Sequence, residues 1–140
     1  MTERLQSSAK TKFNPQRRQS PTPRPDFVVT HRGAIRSILD AKYRDLWTNH
    51  LPREMLYQLV VYAISQPSQP HSSILYPALD PSAREARIAI SDPIHGHSLG
   101  QVSLRPVHLP TLTELITHPT PSAQRHRAAF AEHLAFGAAQ

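Results

Sequence analysis

A short apolar run, Phe27-Val28-Val29-Thr30, is followed across Arg32-Gly33 by a second one, Ile35 to Ala41, and this pair limits the fold more than any other stretch of the chain. Strand-forming residues on both sides of a glycine-bearing turn signal predict a β-hairpin centred near Gly33. Pairing counted outward from Gly33 sets Asp26 opposite Asp40. Alternate side chains of a strand share a face, so Lys42 falls on the side of Asp40 while Ala41 points the other way. Two acids and one amine thus converge at one end of the ribbon. Phe27, Val28, Val29, Ile38 and Leu39 are apolar on both faces, the pattern of strands buried between two layers.

Two carboxylates held opposite each other among apolar side chains repel, and one is pushed toward its protonated form unless a cation lies between them. Mg²⁺, or Mn²⁺ in its place, resolves that conflict. Such an ion takes oxygen ligands and keeps several waters, so Asp26, Asp40 and the Ala41 carbonyl make a suitable open half-shell. Lys42 beside it can hold or help to deprotonate the attacking water and offset charge on a phosphorane-like transition state. The chemistry this arrangement suits is phosphodiester hydrolysis. An ion pair between Lys42 and either aspartate explains the same three residues without a metal.

The remainder of the chain reads as an α/β domain. Pro52 opens a helix with Met55, Leu59, Tyr62 and Ala63 at helical spacing, and it stops by Pro67. Ser73 to Tyr76, Arg87 to Ser91 and Gln101 to Leu104 are strand candidates. Thr111 with Glu114 forms a capping-box pattern ahead of a short helix, and Thr120-Pro121 opens a last helix ending near Gly137, with Ala128, Phe130, Ala131 and Leu134 as its apolar positions. The 140 residues, which contain no cysteine, give one domain with no disulfide scaffold and no thiolate zinc site. No apolar run is long enough to span a bilayer and no secretory signal is evident, so a soluble, cytoplasmic protein is expected.

Charge is uneven along the chain. Residues 1–25 hold six Lys or Arg against Glu3 alone, although the net charge of all 140 residues is only +6. The boundary between arm and domain is therefore placed at 25/26. A basic arm punctuated by Pro15, Pro21, Pro23 and Pro25 suits a polyanionic partner, because Lys and Arg displace counterions from phosphates; a plain solubilising tail has the same composition.

Pro25-Asp26 followed by Asp40-Ala41-Lys42 resembles the signature of the PD-(D/E)XK nuclease superfamily, and the spacing fits its central hairpin. Gln58 and Tyr62, four apart on the following helix, look like the extra motif of its RecB-type branch. The runs "RPDFVV", "LDAKYRDLW", "YQLVVYA" and "ILYP", over about residues 24 to 77, are similar to McrC, the nuclease subunit of 5-methylcytosine-specific restriction systems. The resemblance implies a restriction-endonuclease-like core, a short mixed sheet with a central hairpin flanked by helices. It implies a Mg²⁺-dependent endonuclease that cuts double-stranded DNA together with a GTPase recognition subunit. By position it makes Asp26, Asp40 and Ala41 metal ligands, Lys42 the catalytic lysine, and Gln58 its supporting partner. Tyr62 would pack near DNA, and Arg17, Arg18 and Arg24 are the arm's phosphate-binding candidates. The superfamily's core begins with a helix and strand ahead of the Pro-Asp strand, and McrC proteins carry a longer N-terminal region. Neither precedes Asp26, so the chain is expected to be the C-terminal remainder of a longer nuclease, and a catalytically inactive remnant is the alternative.

Other features carry less. His95 and His97 invite a metal reading, but Asp92-Pro93 and Gly96 mark a turn with no third ligand nearby. Tyr43 and Trp47 can stack on a nucleotide or pack in the core, and Arg125 and Arg127 can meet a DNA backbone. Leu51 to Met55 is similar to the start of an F-box, a protein-binding module that needs two more helices directly after the first.

Overall fold

The computed structural model describes residues 13–118 and 120–138. The first twelve residues of the basic arm, including Glu3, lie outside the described residues. From Phe13 to Asp26 the arm forms no strand.

The hairpin forms as strands β1 (Phe27–His31) and β2 (Ala34–Ala41), and helix α1 (Arg53–Ile64) carries the chain across to β3 (His71–Ala78). Strands β4 (Ala86–Ser91) and β5 (Ser98–His108) follow, then helices α2 (Leu109–Thr117) and α3 (Pro121–Phe136). The five strands form one mixed sheet in the order β1-β2-β3-β5-β4. β2, β3 and β5 are parallel, and each outer strand is antiparallel to its neighbour. A parallel pair needs a crossover, and α1 provides it between β2 and β3.

The hairpin register has two parts. Arg32 and Gly33 both have positive φ, +50° and +77°, the requirement of the two-residue turn whose twist suits a hairpin. That turn pairs His31 with Ala34 and, continued unbroken, would set Asp26 opposite Leu39. A bulge between Val29 and Thr30 takes up Arg36 as an extra residue, and beyond it Phe27 pairs with Leu39. Asp26 consequently reaches Asp40. The pairing expected from the sequence holds at the acidic end, by a shorter turn plus a bulge.

Three expectations are corrected. The hairpin sits at the edge of the sheet, with β3 at the centre, and β1 is not sandwiched between layers: Phe27 is 54% and Val28 47% exposed. Apolar residues on both faces of β1 therefore mark an outer strand in this chain. β3 and β5 extend beyond the expected strands at both ends, and each takes in a proline near its C-terminal end, Pro77 and Pro106, where a missing N–H breaks little of the ladder. The helix expected to be capped by Thr111 starts at Leu109 with His108 as N-cap, and Thr111 Oγ1 is bonded to His108 Nδ1 at 2.7 Å.

The core lies between the sheet and α1. Ile38, Ile74, Tyr76, Ala78, Val102 and Leu104 pack against Met55, Leu59 and Tyr62. Ser72 on the same face is buried without penalty because its hydroxyl donates to the Leu59 carbonyl at 2.6 Å. The opposite face is polar where it meets α3. Ser37 Oγ donates to Ala135 O at 2.5 Å and Arg105 Nη1 to Leu134 O at 2.6 Å. Thr120 caps α3 as expected, its hydroxyl accepting from Ala123 N at 3.1 Å. Of that helix's expected apolar positions, Phe130 and Leu134 are half-buried while Ala128 and Ala131 face solvent. Among the described residues, no helix is long and apolar enough to cross a membrane.

Candidate active site

Asp26 and Asp40 are tied together across the hairpin end by two hydrogen bonds from the main chain. The Asp26 N–H donates to Asp40 Oδ1 at 2.8 Å, and the Ala41 N–H donates to Asp26 Oδ2 at 2.9 Å. One oxygen of each carboxylate is thereby committed to the main chain, and the other is left for a ligand. Lys42 is fixed at its backbone, where its N–H donates to the Leu75 carbonyl of β3 at 2.9 Å. Consecutive N–H groups of a strand point to opposite sides, so the Ala41 N–H and carbonyl face the Asp26 side.

Asp40 is 5% exposed and shares its sheet face with Ile38, which turns it toward α1. On that helix Gln58 Nε2 donates to Tyr62 Oη at 2.6 Å, a contact that the four-residue spacing makes possible. A cleft of about 590 Å³ opens between the strand ends and the helix. Arg24, Asp26, Asp40, Lys42, Tyr43 and Gln58 line it, with Met55 as apolar floor. The residues singled out in sequence as metal ligands and catalytic groups thus meet at one place. Tyr62 does not face it as a DNA contact. At 4% exposed its ring belongs to the core, and its role here is to hold Gln58. Arg17 and Arg18 are exposed but do not line the cleft; of the arm's three candidates Arg24 alone does. The contribution of Met55 was missed, since a methionine at helical spacing carries no signal beyond packing.

Electrostatics explain why this corner is unsettled. Burial pushes the Asp40 carboxyl above its ordinary range, and the neighbouring Asp26 charge adds to it; the Asp26 N–H and the Lys42 charge oppose the shift. Burial also raises the Tyr62 hydroxyl, assisted by both aspartate charges and opposed by Gln58. Among the described residues the salt bridges are Arg87–Glu85 and Arg105–Glu85, so Lys42 pairs with neither aspartate. The ion pair that would have accounted for the triplet is not formed.

The donor set suits a hard cation. Two carboxylate oxygens and a main-chain carbonyl offer oxygen only, as Mg²⁺ and Mn²⁺ prefer, and the remaining positions would be left to water or phosphate. Among the described residues no group of three or more His, Cys, Asp or Glu side chains gathers at one point, so the fit rests on the two aspartates and the main chain. His95 and His97 lie on the loop between β4 and β5 with ring centroids 5.8 Å apart and form no such group. Arg127 is turned inward, its Nη1 donating to Leu115 O at 3.1 Å, and it ties α3 to α2. In comparisons with known proteins, no family model, no curated protein and no solved structure matches the chain.

A stability test follows from Asp40. A carboxyl whose folded pKa is raised contributes stability that is complete below its unfolded pKa and is lost as pH rises through the folded value. At pH 7 without divalent ions Asp40 therefore weakens the fold. Asp40→Asn, which keeps the acceptor for the Asp26 N–H, is expected to stabilise the protein at pH 7 by on the order of 1 kcal/mol. The gain should vanish in acid below the usual carboxylate range. Denaturant unfolding at the two pH values checks this; a variant less stable than the parent at pH 7 would refute the strained carboxylate.

Proposed function

We propose that this chain is a metal-dependent DNA endonuclease of the PD-(D/E)XK type, the cleaving subunit of an McrC-like restriction system. One observation carries the reading: two aspartates are juxtaposed at a strand end without a side-chain cation between them, and Lys42 follows directly after the strand's last residue, Ala41. Asp26, Asp40 and the Ala41 carbonyl would hold Mg²⁺. When bound, the ion lowers the pKa of a coordinated water and neutralises developing phosphate charge.

The chain's own groups supply the rest. The backbone clasp fixes both carboxylates before any ligand arrives, so little reorganisation is needed on binding. Lys42 Nζ, on a flexible stem at the cleft wall, can donate to a phosphate oxygen as charge builds there, while the proton of the attacking water passes to solvent through the open side of the cleft. Gln58, anchored by Tyr62, offers its amide to the water or to the lysine. Arg24 is placed to contact a backbone phosphate of double-stranded DNA. Recognition of the modified base is assigned to a GTPase partner subunit, and the localisation that goes with this role is cytoplasmic.

Supercoiled plasmid incubated with the protein and Mg²⁺ should be nicked by the parent chain and not by Asp40→Ala. Nicking that persists in the variant would remove the site. A second reading, a remnant in which Asp26 and Asp40 only staple the hairpin end, is favoured by the main-chain hydrogen bonds that both carboxylates accept. It predicts no nicking by either protein. The F-box reading has no support, because α1 is followed by β3 and not by two further helices.

A further inference from the structure

A second cleft lies on the far half of β2, away from the acidic corner and independent of it. It measures about 340 Å³ and is lined by Arg36, Gln66, Gln69, His71, Gln101 and Phe136, with Ile35 and Ile38 among the apolar lining. Three amide side chains line it, and none of them takes part in the side-chain hydrogen bonds of the described residues.

Their positions are fixed by the backbone. Gln66 N donates to Ala63 O at 3.2 Å, Gln69 N to Gln66 O at 3.1 Å, His71 N to Gln69 O at 2.8 Å, and Gln101 N to Pro70 O at 2.9 Å. The approach of β5 to that turn depends on Gly100, because a Cβ there would lie 2.5 Å from Pro70 O. His71 Nε2 is bonded at 2.7 Å to Ser103 Oγ, which fixes the ring, and burial together with the Arg105 charge favours its neutral form. Ser37 holds the end of α3 over the cleft through Ala135, placing half-exposed Phe136 at the rim.

We infer that this cleft binds a mononucleotide. Amide side chains present a donor and an acceptor side by side, which matches the edge of a nucleobase. Phe136 offers a ring face for stacking, and the exposed Arg36 guanidinium offers a fork for a phosphate. The backbone bonds fix where the three glutamines start, and their amides, making no hydrogen bond within the described residues, are available to a ligand.

The test is titration of the full chain with AMP, GMP, CMP and UMP by calorimetry. At least one is expected to bind one-to-one with a Kd below about 1 mM. Phe136→Ala and Gln69→Ala should each weaken it about tenfold, while Phe136→Tyr retains it. Unfolding midpoints equal to the parent's would show that the variants fold. Asp40→Asn should leave the affinity unchanged, so failure of the nuclease reading does not touch this one. Absence of saturable binding by all four, or affinity indifferent to both the Phe136→Ala and Gln69→Ala changes, overturns it. A short single-stranded oligonucleotide run in parallel separates a free nucleotide from a strand end. Tighter binding of the strand through the same residues overturns the assignment to a free nucleotide, and weaker or equal binding supports it.

Discussion

Replacing Lys42 by alanine is expected to lower the first-order rate of plasmid nicking by about 10²–10³-fold, the usual cost of removing one preorganised charge-stabilising donor. The divalent-ion concentration giving half-maximal rate should stay the same or fall. Lys42 pairs with neither aspartate, so its removal breaks no ion pair with a ligand; it withdraws the charge that helps hold the Asp40 carboxyl down, and relief of repulsion of the ion offsets that loss. Lys42→Arg should recover little, since a rigid fork cannot take the place of a compact ammonium that exchanges protons. This split between rate and metal requirement separates a catalytic lysine from a structural one. A structural lysine would show its loss as a lower unfolding midpoint, with rate falling only as folded protein disappears.

The second large effect lies on the opposite face of the sheet. Arg105 is 1% exposed, and its Nε donates to Glu85 Oε1 at 2.6 Å while Nη1 donates to Leu134 O at 2.6 Å. Removing one member of a buried pair leaves the other desolvated and uncompensated, so Arg105→Ala is expected to cost about 3 kcal/mol in denaturant unfolding. The double change Arg105→Met with Glu85→Leu should cost less than Arg105→Ala, because no orphan charge remains. The pH dependence has a definite sign. Burial alone would raise the Glu85 carboxyl, but the Arg105 hydrogen bond and charge, with Arg87 adding to them, outweigh it and hold it below its ordinary range. That contribution is present above the unfolded pKa and is lost as pH falls through the lowered folded value. The gap between parent and Arg105→Ala should accordingly narrow in acid. An unchanged unfolding midpoint in Arg105→Ala would mean that the pair holds nothing in place.

How much of this was legible in the sequence depends on how local each signal is. The hairpin, α1 and the cap of α3 follow from residues within a turn or two of each other: Arg32-Gly33, the spacing of Met55, Leu59 and Tyr62, and Thr120 ahead of Pro121. The meeting of Asp26 and Asp40 was legible for the same reason, although the bulge that takes up Arg36 was not. A bulge leaves no mark on apolar alternation until the register around it is known. The edge position of β1 was misread because burial depends on what lies beside a strand, and Phe27-Val28-Val29 reads alike at a sheet's centre or margin. The Arg105–Glu85 pair joins residues distant in the chain on the polar face under α3, and the second cleft brings Gln101 of β5 to the turn that carries Gln66 and Gln69. No period or motif announces them. Tyr62 shows the limit of reading function from a motif, since the same helix face that holds Gln58 in the site sinks the tyrosine ring into the core.

The central claim is that the clasped aspartates hold a divalent cation, and binding of Mn²⁺ followed by electron paramagnetic resonance tests it without requiring turnover. The parent chain should titrate with one saturable site, displaced by Mg²⁺, and both Asp26→Asn and Asp40→Asn should lose it while remaining folded. Retention of that site in both variants, or no saturable binding by the parent, would contradict the account.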